Sequence, residues 1–171
     1  MSPIGKALRM FAVLTALTAL AARPATAQFE SGIAVGAAAP RILINDLDGK
    51  PFDLGSVIGK KPVLIEFWAT WCALCKALLP ELGRVQKKYG DRVTMIGVNI
   101  TVNDSKDRVH RYLDLHKPPF LPLFDDKGAG SRAFDVATTS YIVVIDRAGK
   151  VVYTGSGGEQ DLVKAVGLAV R

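Results

Sequence analysis

The chain has 171 residues, of which 49% are hydrophobic and 22% are charged, a balance typical of a folded globular protein and not of a disordered one. Two cysteines are too few for a scaffold held by disulfides, so a hydrophobic core must stabilise the fold. The formal charge of +6 includes Lys6, Arg9 and Arg23, which lie in a segment that we expect to be removed. The remaining charge of +3 does not favour nucleic acid as a partner.

Residues 1–27 have the pattern of a secretory signal peptide. The positive residues Lys6 and Arg9 precede the apolar run Met10–Ala22, and Ala27 supplies a small residue for cleavage. We therefore expect export to the periplasm, an oxidising compartment in which disulfides form. An uncleaved membrane anchor is the alternative, although the apolar run is short for a bilayer core that needs about 20 residues.

The exported chain is predicted to form one domain. Residues 28–39 are poorly patterned and form a flexible lead-in, and residues 40–171 carry the strand and helix patterns. In chain order we predict strands at 41–45, 63–68, 93–100, 121–124, 141–145 and 151–154, with helices at 72–89, from 104 or 105 to 116, and at 159–170. Strands alternating with helices, followed by a hairpin, indicate an α/β fold with a central mixed sheet and helices on both faces.

The chemistry of the chain is concentrated where the second predicted strand meets the first helix. Cys72 opens that helix, where unsatisfied backbone N–H groups and the helix dipole lower the pKa of a thiol. Cys75 follows one helical turn later, within reach of the first sulfur. This arrangement suits thiol–disulfide exchange, in which Cys72 attacks, a mixed disulfide forms and Cys75 resolves it.

Three other interpretations of the cysteine pair are weaker. A structural disulfide across so small a ring restricts the unfolded chain little. A structural zinc site needs about four ligands, and His110 and His116 lie far along the sequence. A pair of inert buried thiols does not explain the setting between strand and helix. Redox chemistry is therefore the favoured hypothesis.

The motif Trp68–Lys76, Trp-Ala-Thr-Trp-Cys-x-x-Cys-Lys, resembles the active-site signature of the exported TlpA-like and ResA-like thiol–disulfide oxidoreductases. The resemblance runs from about Val35 to Leu168. Gly36–Pro40 resembles the N-terminal motif of that family, and Asp104–Phe134 resembles its inserted helix and strand. The resemblance implies a thioredoxin-like fold with a TlpA-type insertion and an N-terminal extension.

The resemblance also implies how such a protein works. Thioredoxins carry a buried carboxylate at the position of Glu66, where it exchanges a proton with the second cysteine. A protein disulfide would be the substrate and a membrane thiol transporter the electron donor, with no cofactor beyond the redox-active disulfide. We expect a monomer. The family includes reductants for apocytochrome c maturation and for copper-site assembly, and nothing in the sequence chooses between them.

Two further residue-level expectations concern the substrate groove and the direction of the reaction. Trp71 is adjacent to the first sulfur and is expected to line the groove, together with Thr139 and Ser140. Ala73 and Leu74, the dipeptide between the cysteines, contain no histidine to stabilise a thiolate, which favours a reductase over an oxidase.

The chain departs from the family at Ser140, which follows Thr139 at the position of the family's cis-proline. A cis bond before a residue other than proline costs about 2.5–4 kcal/mol, so we expect a trans bond here. Because that proline keeps metals off the cysteines in the family, its absence raises a second hypothesis, a chaperone that binds Cu(I) through Cys72 and Cys75. A third hypothesis is a peroxiredoxin-like peroxidase, against which the paired cysteines argue.

Overall fold

The computed structural model describes residues 31–171, so the expected signal peptide and the start of the lead-in lie outside the described residues. In chain order the elements are β1 (Leu43–Asn45), β2 (Pro51–Asp53), β3 (Val63–Trp68), α1 (Ala73–Tyr89), β4 (Thr94–Asn99), α2 (Lys106–His116), β5 (Leu121–Phe124), α3 (Ala129–Ala133), β6 (Tyr141–Ile145), β7 (Val151–Ser156) and α4 (Leu162–Ala169). Within residues 31–171, no helix combines the length and apolar character that a membrane span requires.

Five strands form the central sheet in the order β5-β4-β3-β6-β7. β3, β4 and β5 run parallel to one another, whereas β6 is antiparallel to both β3 and β7. All six residues of β3 are buried, which is why this strand appears in the sequence as an apolar run. The predicted mixed sheet is confirmed, and the strand that leads into the cysteines lies at its centre.

The two faces of β3 contribute to different parts of the core. Ile65 and Phe67 pack on the face covered by β1, β2 and the end of α3. Leu64 and Trp68 point to the opposite face, where they pack against α1, α2 and α4. Because side chains alternate along a strand, Glu66 lies on this second face, between Leu64 and Trp68.

Besides shifts of one or two residues at several element ends, three differences from the sequence prediction bear on the fold. α4 begins at Leu162 and not at 159, because the Asp161 carboxylate accepts a hydrogen bond from the Lys164 N–H and caps the helix there. α3 was not predicted, since its five residues are too few to show helical periodicity. The predicted strand at 41–45 is shorter and forms a separate hairpin with β2.

Candidate active site

The cysteine pair lies at the N-terminus of α1. Cys72 is the N-cap residue, and its Sγ accepts a hydrogen bond of 3.0 Å from the backbone N–H of Cys75. The two sulfurs form a disulfide with a Cα–Cα distance of 5.3 Å. Both side chains are almost completely buried. The helix terminus therefore directs a backbone donor at the sulfur that would carry negative charge after reduction.

Three apolar side chains surround the buried sulfurs and face solvent. Trp71 and Leu74 are 48% and 54% exposed, and Val102, from the loop after β4, is 54% exposed. The indole N–H of Trp71 donates a 2.7 Å hydrogen bond to the Val102 carbonyl, which joins two of the three. This apolar rim, formed by Trp71, Leu74 and Val102, suits contact with a polypeptide better than contact with a small charged molecule.

Glu66 is buried beneath the cysteine helix. Its side chain is 1% exposed, and its Oε1 has no hydrogen-bond partner. Leu64 and Trp68, its neighbours on the same face of β3, pack with Leu78 and Cys75 of α1 respectively. Burial raises the pKa of Glu66 from 4.5 to about 8, because the apolar surroundings penalise the carboxylate. The carboxyl group is thus poised to exchange a proton near neutral pH.

The strand position beside Glu66 is occupied by Gly97, which has no side chain. Gly97 pairs with Glu66 across the parallel β3–β4 ladder. A Cβ atom at Gly97 would clash with the ring of Phe120, so the ring occupies the space where a side chain would begin. Phe120 also contacts Trp68, with ring centroids 5.6 Å apart. An aromatic ring therefore covers the strand position beside Glu66 and keeps that position apolar.

The pKa of Tyr112 in α2 is affected by the same carboxyl group. Burial, and secondarily the charge of Glu66, raises the pKa of Tyr112 to about 12. Its ring packs against Trp68 at a centroid distance of 4.9 Å. The inserted helix α2 therefore helps to cover the buried side of the active site, and Tyr112 stays protonated across the neutral range.

Ser140 occupies a buried and conformationally unusual position. Its peptide bond with Thr139 is trans, as the sequence analysis expected, but its φ of +61° lies in the left-handed region. Its hydroxyl donates a 2.7 Å hydrogen bond to the Gly157 carbonyl, and the Gln160 amide donates to the carbonyls of both Ser140 and Gly157. Thr139 is partly buried beside it.

The loop that contains Gly157 connects Ser140 to the cysteine helix. A Cβ atom at Gly158 would lie 3.0 Å from the Cβ of Ala77 and 3.4 Å from the carbonyl oxygen of Leu74. The loop thus rests on the first turn of α1. The structure brings the Ser140 segment, this loop and the cysteine pair together, which the sequence spacing alone did not reveal.

Three further residues of the site, Thr70, Asn99 and Asp104, could not be predicted from the sequence. Their side chains form hydrogen bonds that join the turn before Cys72 to the loop after β4. Nothing in their spacing announces this contact, because Thr70 and Asp104 are 34 positions apart. In residues 31–171, no cluster of three or more His, Cys, Asp and Glu side chains is arranged to hold a metal. The Cu(I) hypothesis therefore depends on the two sulfurs alone.

Comparison with known proteins gives a family to this fold and site. The family model described as Redoxin matches residues 34–167. The thioredoxin-like protein YneN of Bacillus subtilis is 30% identical over 81% of this chain and 82% of its own length. The thiol-disulfide oxidoreductase ResA of the same organism is 30% identical over 75% of this chain and 70% of its own length.

A solved structure agrees with these relatives. The thiol:disulfide interchange protein of the thioredoxin family from Chlorobium tepidum superposes with a TM-score of 0.68 at 26% identity, over 81% of this chain and 99% of that one. The fold is a thioredoxin fold, and the cysteine pair at its helix terminus makes the molecule a thiol–disulfide oxidoreductase. The chain belongs to the Redoxin family.

Burial of Glu66 predicts a stability that depends on pH. The folded pKa of about 8 exceeds the unfolded value of 4.5, so the unfolded chain ionises first and wild-type stability falls as pH rises from about 4.5 to 8. Glu66→Gln removes this effect, and its stability relative to wild type should improve by on the order of 3 kcal/mol between pH 4.5 and pH 7. Urea unfolding of both oxidised proteins at several pH values measures the difference, and a gap that stays constant with pH would contradict the assignment.

The left-handed conformation of Ser140 predicts how substitutions behave there. Proline requires a φ near −65°, so Ser140→Pro should disrupt the loop and lower the melting temperature, and it would not restore a family-like groove. Ser140→Gly relieves the left-handed backbone but loses the hydroxyl bond, and these effects of about 1 kcal/mol each should nearly cancel. Thermal unfolding by circular dichroism compares the two variants. Equal stability of the two would show that the backbone conformation does not matter.

Proposed function

We propose that this protein is an extracytoplasmic reductase of protein disulfides, with Cys72 as nucleophile, Cys75 as resolving thiol and Glu66 as proton carrier. The observation that carries the proposal is the position of Cys72 at the helix N-terminus, with its sulfur bonded to the Cys75 N–H. That position favours a thiolate on the first cysteine and leaves the second one beneath it.

The reaction uses two exchanges at sulfur. The Cys72 thiolate attacks a substrate disulfide, whose S–S bond breaks and releases one substrate thiolate, which takes up a proton. The Cys75 thiolate then attacks Cys72 Sγ, and the second substrate sulfur leaves as a thiol. The substrate gains two electrons and two protons, and the protein ends as the Cys72–Cys75 disulfide.

Glu66 is proposed to serve the second exchange. Cys75 is buried and must lose a proton before it attacks, and the nearest side of the sheet carries the buried carboxyl group of Glu66. A carboxyl group with a pKa of about 8 holds or releases a proton readily in the range in which a thiol ionises. An ordinary exposed glutamate, with a pKa of about 4.3, would be too weak a base to take a proton from a thiol.

The direction, substrate and location are supported by separate observations. Ala73 and Leu74 place no charged or imidazole group between the cysteines to stabilise the reduced form, which favours reductase activity. The apolar rim of Trp71, Leu74 and Val102 favours a polypeptide substrate. Thr139, which is partly exposed, is proposed to line the same groove, whereas the side chain of Ser140 is fully buried and would shape the groove through its backbone. The leader-like pattern of residues 1–27 supports export to the periplasm, and a membrane thiol transporter is the proposed electron donor to a monomeric protein.

The unequal roles of the cysteines give a direct test. Cys75→Ser should accumulate a mixed disulfide through Cys72, because the resolving thiol is missing, whereas Cys72→Ser should trap nothing. Scrambled ribonuclease, with its non-native disulfides intact, serves as the trapping partner for each reduced variant, and non-reducing gels report the adduct. Equal trapping by both variants would reverse or abolish the assignment.

The proposed proton transfer makes Glu66 a determinant of rate. Glu66→Gln preserves size but cannot carry a proton, so disulfide exchange near pH 7 should slow by about 10- to 100-fold. Its pH–rate profile should also lose the ionisation near pH 8. Stopped-flow measurement between pH 6 and 9 on the folded variant provides the comparison. Profiles that superimpose on wild type would remove Glu66 from the mechanism.

A further inference from the structure

The turn that carries Cys72 is held by a carboxylate from another part of the chain. Asp104 Oδ2 accepts hydrogen bonds from the Thr70 N–H at 2.8 Å and from the Asn99 amide at 2.9 Å. Asp104 Oδ1 accepts a bond of 2.6 Å from the Thr70 hydroxyl. The Asp104 side chain thus accepts hydrogen bonds from both the backbone N–H and the hydroxyl of Thr70, two residues before Cys72.

A second contact comes from the same loop. The Trp71 indole N–H donates to the carbonyl of Val102, as described above, and the Cys72 N–H closes the turn by bonding to the Ala69 carbonyl at 3.2 Å. Hydrogen bonds to residues 99–104 therefore restrain the turn formed by residues 69–72. Asp104 also directly precedes Ser105, the N-cap of α2, so the loop is anchored at its far end.

The loop formed by residues 99–104 has an unusual backbone. Thr101 and Asn103 have φ values of +63° and +53°, and a left-handed conformation is uncommon for a β-branched residue such as threonine. The Thr101 N–H donates to Asn99 Oδ1 at 2.9 Å, and the Asp104 N–H donates to the Thr101 carbonyl at 3.1 Å. Such a backbone persists only where surrounding contacts determine it, and here those contacts converge on Asp104 and Asn99.

We propose that Asp104 is a positioning residue that holds the Cys72 turn so that the two sulfurs are preorganised for the resolving step. This inference rests on the proposed function. Restraining the turn raises the effective concentration of Cys75 toward a disulfide on Cys72. The consequence is twofold: the intramolecular disulfide is favoured over the dithiol at equilibrium, and a mixed disulfide on Cys72 is short-lived.

Geometry and charge can be separated at this position. In Asp104→Asn, the side-chain oxygen can accept from the Thr70 N–H and the Asn99 amide, while the new amide donates to the Thr70 hydroxyl, which also accepts. Asp104→Asn therefore keeps the hydrogen bonds and loses the negative charge. Asp104→Ala loses the hydrogen bonds as well as the charge. Asp107→Ala is the matched control. Asp107 is exposed and lies three positions after Asp104, so its replacement removes one negative charge and leaves the hydrogen bonds of Asp104 intact.

The experiment equilibrates each reduced protein with glutathione and glutathione disulfide, and measures dithiol, disulfide and glutathione adduct by alkylation and mass spectrometry. Asp104→Ala should lower the equilibrium constant for forming the Cys72–Cys75 disulfide about tenfold, which corresponds to a potential about 30 mV higher. The glutathione adduct of Cys72 should live about tenfold longer. Asp104→Asn should stay within threefold of wild type, and Asp107→Ala within twofold. A loss of overall stability alone would not lengthen the adduct lifetime.

Two results would overturn the proposal. Unchanged values in Asp104→Ala, or a change in Asp104→Asn as large as in Asp104→Ala, would overturn the proposal, the latter because charge and not geometry would be responsible. Where circular dichroism shows that Asp104→Ala is unfolded, Thr70→Val replaces it, with an expected decrease of about threefold from loss of the hydroxyl bond. An unchanged Thr70→Val would then overturn it. Failure of wild type to exchange with glutathione would instead refute the proposed function.

Discussion

The junction between β3 and α1 is the constraint on which the rest of the structure depends. The chain leaves a strand at the centre of the sheet and begins a helix five residues after Trp68, with Cys72 as the N-cap residue. An N-cap has an extended backbone, so its side chain faces the free N–H groups of the first helical turn. Placing a sulfur there creates the reactive group, and the neighbouring elements then control access to it.

The second feature of the site is a cost that the fold tolerates. Glu66 lies in the middle of a buried strand, where a carboxylate is strongly disfavoured, and the sheet neighbour Gly97 leaves room for an aromatic ring and not for a compensating charge. The strongly shifted pKa of Glu66 marks it as a functional candidate, because a purely structural core would place an apolar residue at this position. The stability lost above pH 4.5 and the proton available near pH 8 have the same physical origin.

The covering elements enclose the sulfurs from different sides. The inserted helix α2 packs Tyr112 against Trp68 beneath the pair. The loop at Gly157 and Gly158 rests on the first turn of α1 and is tied to Ser140 by hydrogen bonds. Ser140 has a left-handed backbone and a hydrogen-bond network of its own with Gly157 and Gln160, which fixes this segment against the loop that covers α1.

Local signals in the sequence were sufficient to predict the fold class, the central strand β3, the cysteine pair and the unusual acid Glu66. An apolar run, a helix start with a cysteine at its cap and one charge inside a buried strand are all visible within about ten residues. Trp68 in the core and Trp71 at the surface could likewise be separated by their places in that pattern, and the structure agrees. The short helix α3 left no periodicity and was missed for that reason.

The distant groups that contact the active site could be identified only from the packing of the folded chain. Thr70 and Asp104 form two hydrogen bonds although they are 34 residues apart, and Ser140 bonds to Gly157, 17 residues away. Hydrogen bonding between side chains depends on ångström-scale placement that hydrophobic periodicity does not encode. The left-handed backbone of Ser140 was equally hidden, since a serine has no strong preference that would announce it. Local patterns specify the elements, and the packing of those elements against one another specifies the contacts that position the reactive sulfur.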